Sequence, residues 1–105
     1  MKKMIMLVCA AGMSTSLMVS KMQKAAEAKG IDAEIFAISA SEADSYLEEK
    51  KVDVLLLGPQ VRFMKDKFEK KVSPLGIALD VIKMTDYGMM NGEKVLEHAI
   101  SLMND

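Results

Sequence analysis

Strand-like and helix-like stretches alternate four times along this chain with short connections between them, and that alternation leaves few folds open. Residues 3–8 are apolar and lie between a polar start and a Gly-containing stretch, which predicts a buried strand. Helical spacing begins near Ser14: Leu17, Met18, Met22, Ala25 and Ala26 recur on one face, and Lys21, Lys24 and Glu27 fall elsewhere. Gly30 follows as the residue that ends this helix in a left-handed conformation. Residues 33–38 predict a second strand. Ser39-Ala40-Ser41-Glu42 then has capping-box spacing and opens a helix that runs to about Lys50.

Residues 52–57 predict a third strand, stopped by Gly58-Pro59. A helix is expected over 61–71, with Phe63, Met64 and Phe68 inward and the mixed charges from Arg62 to Lys70 mostly outward, and Pro74 closes it. Residues 77–82 predict the fourth strand, 85–88 a loop. The last helix starts at Asn91 or Gly92 and carries Val95, Leu96, Ala99, Ile100 and Met103 as its stripe. The expected fold is α/β: one domain over residues 1–105, a four-stranded parallel sheet covered by helices on both faces. Ligands of such sheets bind beyond the carboxyl ends of the strands, where strand order switches. Function is therefore sought in the loops after each strand.

Composition removes several classes of function. Fourteen basic and fifteen acidic residues give a net charge of -1, without the cationic surplus that sequence-independent nucleic-acid binding needs. One cysteine excludes a disulfide framework or an all-cysteine metal cage, and one histidine leaves a metal site to be improvised from carboxylates. No stretch approaches the roughly 18 apolar residues of a membrane span. The basic start followed by residues 4–11 has the look of a short signal peptide, but removing it would cost the domain its most hydrophobic strand. A cytoplasmic chain is expected.

The stretch that carries chemistry is Cys9-Ala10-Ala11-Gly12-Met13-Ser14-Thr15-Ser16, where a strand hands over to a helix. Small side chains let consecutive backbone N–H groups turn toward one centre and form an anion-binding nest. The helix that follows adds its unpaired N–H groups and the positive end of its dipole. Both features favour a thiolate, the form in which cysteine is a nucleophile. The same residues also fit an ordinary strand-to-helix turn around a buried, inert cysteine, because free cysteine is among the most buried residue types.

The string Cys9-Ala10-Ala11-Gly12-Met13-Ser14-Thr15-Ser16 resembles the active-site loop of the lactose/cellobiose-type enzyme IIB components of the sugar phosphotransferase system. The likeness continues through Leu17-Met18-Val19-Ser20-Lys21-Met22, resumes at Val54-Leu55-Leu56-Leu57-Gly58-Pro59-Gln60-Val61, and returns at Tyr87-Gly88. It implies a fold like that of the low-molecular-weight tyrosine phosphatases and a cytoplasmic phosphocarrier that needs neither cofactor nor metal. Enzyme IIA would donate a phosphoryl group from a phosphohistidine to Cys9. The group would pass to a sugar, a β-disaccharide such as cellobiose, lactose or chitobiose, bound by the membrane component enzyme IIC. Contact with the membrane would be through enzyme IIC alone, and nucleic acid would not be a partner. By position, Cys9 is the nucleophile. The resemblance implies that Ala10, Ala11, Gly12, Met13, Ser14, Thr15 and Ser16 would hold the phosphoryl oxygens through backbone N–H groups and hydroxyls.

Two other readings compete. A low-molecular-weight tyrosine phosphatase has an arginine in its loop where this chain has Thr15, and an Asp-Pro general acid that this chain lacks. A receiver-like module would need acidic residues at the first strand's end, which residues 2–8 lack, and a flavodoxin-like one would need stacking aromatics, which are scarce at 5% of the chain. Gln60, Arg62, Asp86 and Tyr87 are candidates for the rim of the site. His98, between inward positions of the last helix, reads as a boundary residue. Met13 is the loop residue best suited to touch a partner, because a flexible thioether adapts to more than one surface.

Overall fold

A computed structural model describes residues 3–9 and 13–103, with the side chains of 13–15 outside the description. Strand β1 (Lys3–Cys9) leads to helix α1 (Met13–Lys29), then β2 (Ala33–Ser39), α2 (Ala40–Glu49) and β3 (Val54–Leu57). A 3-10 segment, Pro59–Met64, precedes α3 (Lys65–Val72) and a short 3-10 turn, Ser73–Leu75. Then come β4 (Ala78–Val81), α4 (Met84–Gly88) and α5 (Gly92–Met103). The four strands pair in parallel in the order β2-β1-β3-β4.

Alternation along β1 explains why both faces are covered. Ile5 and Leu7 pack with Met18, Met22 and Ala26 of α1 and with Val95, Leu96 and Ala99 of α5. Met6 and Val8 point the other way, into Ala43 and Leu47 of α2 and Phe68 and Val72 of α3. The chain moves outward from β1 to β2, then back past β1 to β3 and on to β4. Right-handed crossovers that reverse direction must change face, so α1 lies opposite α2 and α3. Ile5 to Val8 and Val54 to Leu57 are wholly buried in the two central strands. Removing one of these leucine side chains would cost about 2–5 kcal/mol.

The ends of α1 and α5 are set locally. Ile31 N–H donates to Ala26 and Gly30 N–H to Glu27, a Schellman pattern with Gly30 left-handed at φ 68°, as its position predicted. Asn91 Oδ1 accepts from Lys94 N–H at 3.1 Å and caps α5. Gly92 is buried because α5 begins against the backbone of Lys21 and Met22. Lys29 reaches Glu93 and Glu97 across the same helix pair, but such exposed pairs contribute little.

Several expectations need correction. Leu17 is 51% exposed, because the inner stripe of α1 runs Met18, Met22, Ala26 and leaves Leu17 on the row of Lys21. The capping box does not form: the Ser39 and Ser41 hydroxyls pair with each other at 3.1 Å, and no side chain caps α2. The third strand begins at Val54, two residues late, because Asp53 turns its carboxylate onto Met4 N–H at 2.8 Å. The helix expected over 61–71 starts as a 3-10 segment with Val61 off helical geometry. That changes the phase, so Val61 and Phe68 are buried and Phe63 is 79% exposed. Residues 85–88 belong to the short helix α4. Among the described residues no helix is long and apolar enough to cross a membrane.

Candidate functional site

Strand order reverses direction between β1 and β3, the switch at which sheets of this kind open a crevice beyond the carboxyl ends of their strands. Cys9 is the last residue of β1, opposite Ser39 in the ladder, with 2% of its surface exposed. Its Sγ lies 3.9 Å from the Ile38 carbonyl oxygen, a long, weak thiol contact. Ala10, Ala11 and Gly12 lie outside the described residues. The backbone of Met13, Ser14 and Thr15 forms the first turn of α1, and Ser16 is exposed one position on. A helix of 17 residues therefore starts four positions after the cysteine. Its first-turn N–H groups have no intrahelical acceptors, and its dipole places partial positive charge at this end. Such an end stabilises an anion.

Gly58 joins the two sides of the crevice. Its N–H donates to the Val8 carbonyl at 2.9 Å, one residue before Cys9. Its own φ of -63° is ordinary, so it is glycine for space and not for conformation. A Cβ there would lie 3.0 Å from Gln60 Oε1, 3.5 Å from the Val8 carbonyl oxygen and 4.0 Å from the Tyr87 ring. Gln60 folds its side chain back over this glycine, and Tyr87 closes the floor from α4.

Beyond Gly58 a cleft of about 530 Å³ runs between the 3-10 segment and α4. Gln60, Arg62 and Phe63 form one wall, Met84, Tyr87 and Gly88 the other. Three of the four rim candidates thus meet here. Tyr87 both packs and lines the cleft, at 8% exposure in the core against Ile82 and Val95. Asp86 departs from the group and borders a separate hollow with Lys83, Lys94 and His98. His98 is a boundary residue as expected: half-buried, its Nε2 lies 2.8 Å from Asp80 Oδ2 on the edge strand. Among the described residues no cluster of side chains could hold a metal ion.

Sequence reasoning missed Phe63 and Met84 as lining residues. Apolar spacing assigned Phe63 to the core, and only the 3-10 geometry turns it outward. No signal in the chain marks Met84.

The family model described as PTS system, Lactose/Cellobiose specific IIB subunit matches residues 4–98. The chain is 60% identical over 105 residues to the PTS system galactose-specific EIIB component of Lactococcus lactis subsp. cremoris, covering 97% of each. It is equally similar, at 60% and the same coverage, to the cellobiose-specific EIIB component of Lactococcus lactis subsp. lactis. The oligo-beta-mannoside-specific EIIB component of Bacillus subtilis is 43% identical over 96% of each chain. Among solved structures, the cellobiose-specific phosphotransferase IIB component of Borrelia burgdorferi superposes with a TM-score of 0.79 at 44% identity, covering 99% of this chain and 94% of that one. The lactose-specific IIB component domain from Streptococcus pneumoniae shares the fold, with a TM-score of 0.82 at 15% identity over 97% of this chain and 98% of that one.

Proposed function

The chain belongs to the lactose/cellobiose-specific IIB family of the sugar phosphotransferase system, and from that premise we propose that Cys9 carries the phosphoryl group between two protein partners. The Cys9 thiolate attacks the phosphorus of a phosphohistidine on enzyme IIA. The P–N bond breaks as the S–P bond forms, and the imidazole leaves. A hydroxyl of a sugar held by enzyme IIC then attacks the same phosphorus and gives up its proton to solvent, the S–P bond breaks and the thiolate is restored. The observation that carries this reading is the position of Cys9: it closes β1 at the switch in strand order, four residues before the amino end of α1.

The backbone N–H groups of Ala10, Ala11, Gly12, Met13, Ser14, Thr15 and Ser16, with the three hydroxyls, hold the equatorial oxygens. Transfer then depends on in-line positioning and fixed positive potential, with little call on acid–base groups. His98 is bound to Asp80 and takes no part. The chain acts as one domain over residues 1–105 in the cytoplasm and meets the membrane through enzyme IIC. Its sugar is a β-disaccharide such as cellobiose, lactose or chitobiose, a class that includes the sugar for which one of the two 60%-identical relatives is named; the other is named for galactose.

The test is phosphorylation by a phosphorylated IIA of the lactose/cellobiose class, read by intact mass. The wild-type chain gains one phosphoryl group and Cys9→Ser gains none; a Cys9→Ser protein that still accepts the group overturns the assignment. Isolated phosphoprotein keeps its phosphate at neutral pH, because Thr15 stands where a phosphatase loop has its arginine. Rapid spontaneous hydrolysis with multiple turnover on aryl phosphates would make the chain a phosphatase instead.

A further inference from the structure

The two central strands set a glutamine beside the nucleophile. Val8 pairs with Leu57 in the β1–β3 ladder, and Gly58 N–H continues the ladder by donating to the Val8 carbonyl at 2.9 Å. One rung on, Gly58 stands next to Cys9, about 5 Å away across the strands. Ile5 and Leu7 of β1 and Val54 and Leu56 of β3 all face α1 and α5. By alternation, Cys9 and position 58 point to that same face. Gly58 has no side chain to put there. The place is taken by the Gln60 carboxamide, whose Oε1 lies 3.0 Å from where a Cβ would stand, and the Tyr87 ring comes to 4.0 Å from the same point. A residue three positions beyond the end of β3 thus fills the side-chain position next to the cysteine.

Gln60 is exposed, and among the described residues neither end of its carboxamide makes a hydrogen bond. A long side chain folded back without a bond of its own loses rotamer entropy and gains little stability in exchange. What it brings to the site is an amide with two N–H donors and no charge. Cys9 Sγ leans the other way, 3.9 Å from the Ile38 carbonyl oxygen, a neighbour that suits a thiol and repels an anion. A phosphoryl group on that sulfur is therefore turned from the carbonyl of β2 toward the donors on the β3 side. Resting on the phosphocarrier reading above, we infer that the Gln60 carboxamide donates a hydrogen bond to an oxygen of the phosphoryl group on Cys9, during transfer and in the phosphorylated protein. A tyrosine phosphatase grips those oxygens with a charged arginine, whose place in this loop is Thr15. A neutral donor from outside the loop holds the group with less stabilisation of its attack by water.

The test is single-turnover phosphorylation of the full chain by a phosphorylated IIA of the lactose/cellobiose class over a range of donor concentrations, together with the phosphorus NMR signal of the isolated phosphoprotein. Gln60→Met keeps the length of the side chain and removes its donors. It lowers the rate at saturating donor about tenfold, leaves the half-saturating concentration within about twofold, and moves the phosphocysteine resonance. Gln60→Glu sets a carboxylate against the phosphoryl oxygens and lowers the saturated rate about a hundredfold. The side chain is exposed, so both variants keep the wild-type thermal midpoint. If the wild type is phosphorylated on Cys9 while Gln60→Met matches its saturated rate, or leaves the phosphorus resonance in place, this inference fails and the phosphocarrier reading stands. A change confined to half-saturation also overturns it, because that marks a contact with the donor protein instead of the phosphoryl group. If the wild type accepts no phosphoryl group, the phosphocarrier reading fails and takes this inference with it.

Discussion

The carboxamide oxygen of Gln60 lies 3.0 Å from the point where a side chain on Gly58 would begin. Both residues sit where β3 ends and the crevice toward Cys9 opens, so the glycine is a space reserved for the glutamine. The obstacle to a methyl group there is the free end of a flexible side chain, and the backbone angles suit any residue. Gly58→Ala should therefore cost less than about 1 kcal/mol by urea denaturation, while Gln60 is pushed out of place. A large loss of stability would show that the backbone, and not Gln60, fills that space.

Gly92 and Gly30 make the opposite comparison. A Cβ on Gly92 would lie 2.6 Å from the Lys21 carbonyl carbon and 2.7 Å from Met22 N, both rigid helix backbone. Gly30 has open space around it and only its positive φ to object. Gly30→Ala should cost about 1 kcal/mol. Gly92→Ala should cost more, about 2–3 kcal/mol, because α1 and α5 must separate. Equal urea midpoints for the two variants would contradict the close approach of these helices.

His98 and Asp80 tie the last helix to the edge strand. The pair is partly exposed, and Asp80 also accepts from Val81 N–H through its other oxygen. His98→Ala should lower stability by about 1 kcal/mol and leave the rate of phosphoryl acceptance unchanged. A loss of transfer in a fully folded His98→Ala protein would give this histidine a chemical role.

Tyr46 reports on the outer face of β2. Desolvation first, and the carboxylate of Glu34 second, push its phenol above the ordinary tyrosine value of about 10. Its ring is tilted against Phe36 with centroids 5.0 Å apart. The folded state thus holds this proton more tightly than the unfolded chain does, so its contribution to stability is present below pH 10 and is lost as pH rises through the folded-state value. An absorbance titration in a Tyr87→Phe background should inflect above 10, and Glu34→Gln should bring the inflection partway back.

Much of this molecule was legible because its signals are local or periodic. The buried runs of β1 and β3, the helix end at Gly30 and the α1 stripe through Met18, Met22 and Ala26 follow from side-chain periodicity and from conformations that only some residues tolerate. Cys9 followed by small residues was readable for the same reason: the handover from strand to helix is written in consecutive positions. The family of the chain was readable from the same loop and from Gly58-Pro59-Gln60, since a motif is itself a local pattern.

What the tertiary structure alone decided is the phase and the neighbourhood of segments distant in sequence. Phe63 has the spacing of a core residue, yet the 3-10 turn that begins at Pro59 rotates it into solvent. Residues 85–88 have loop composition, yet α4 forms because Tyr87 finds a place among Ile82, Val95 and Leu96. The cleft exists only because parallel pairing of β1, β3 and β4 brings Gln60 and Arg62 alongside Met84 and Tyr87. Local preference fixes dihedral angles within a few residues, whereas burial is a property of the assembled sheet and rewards whichever phase fills it.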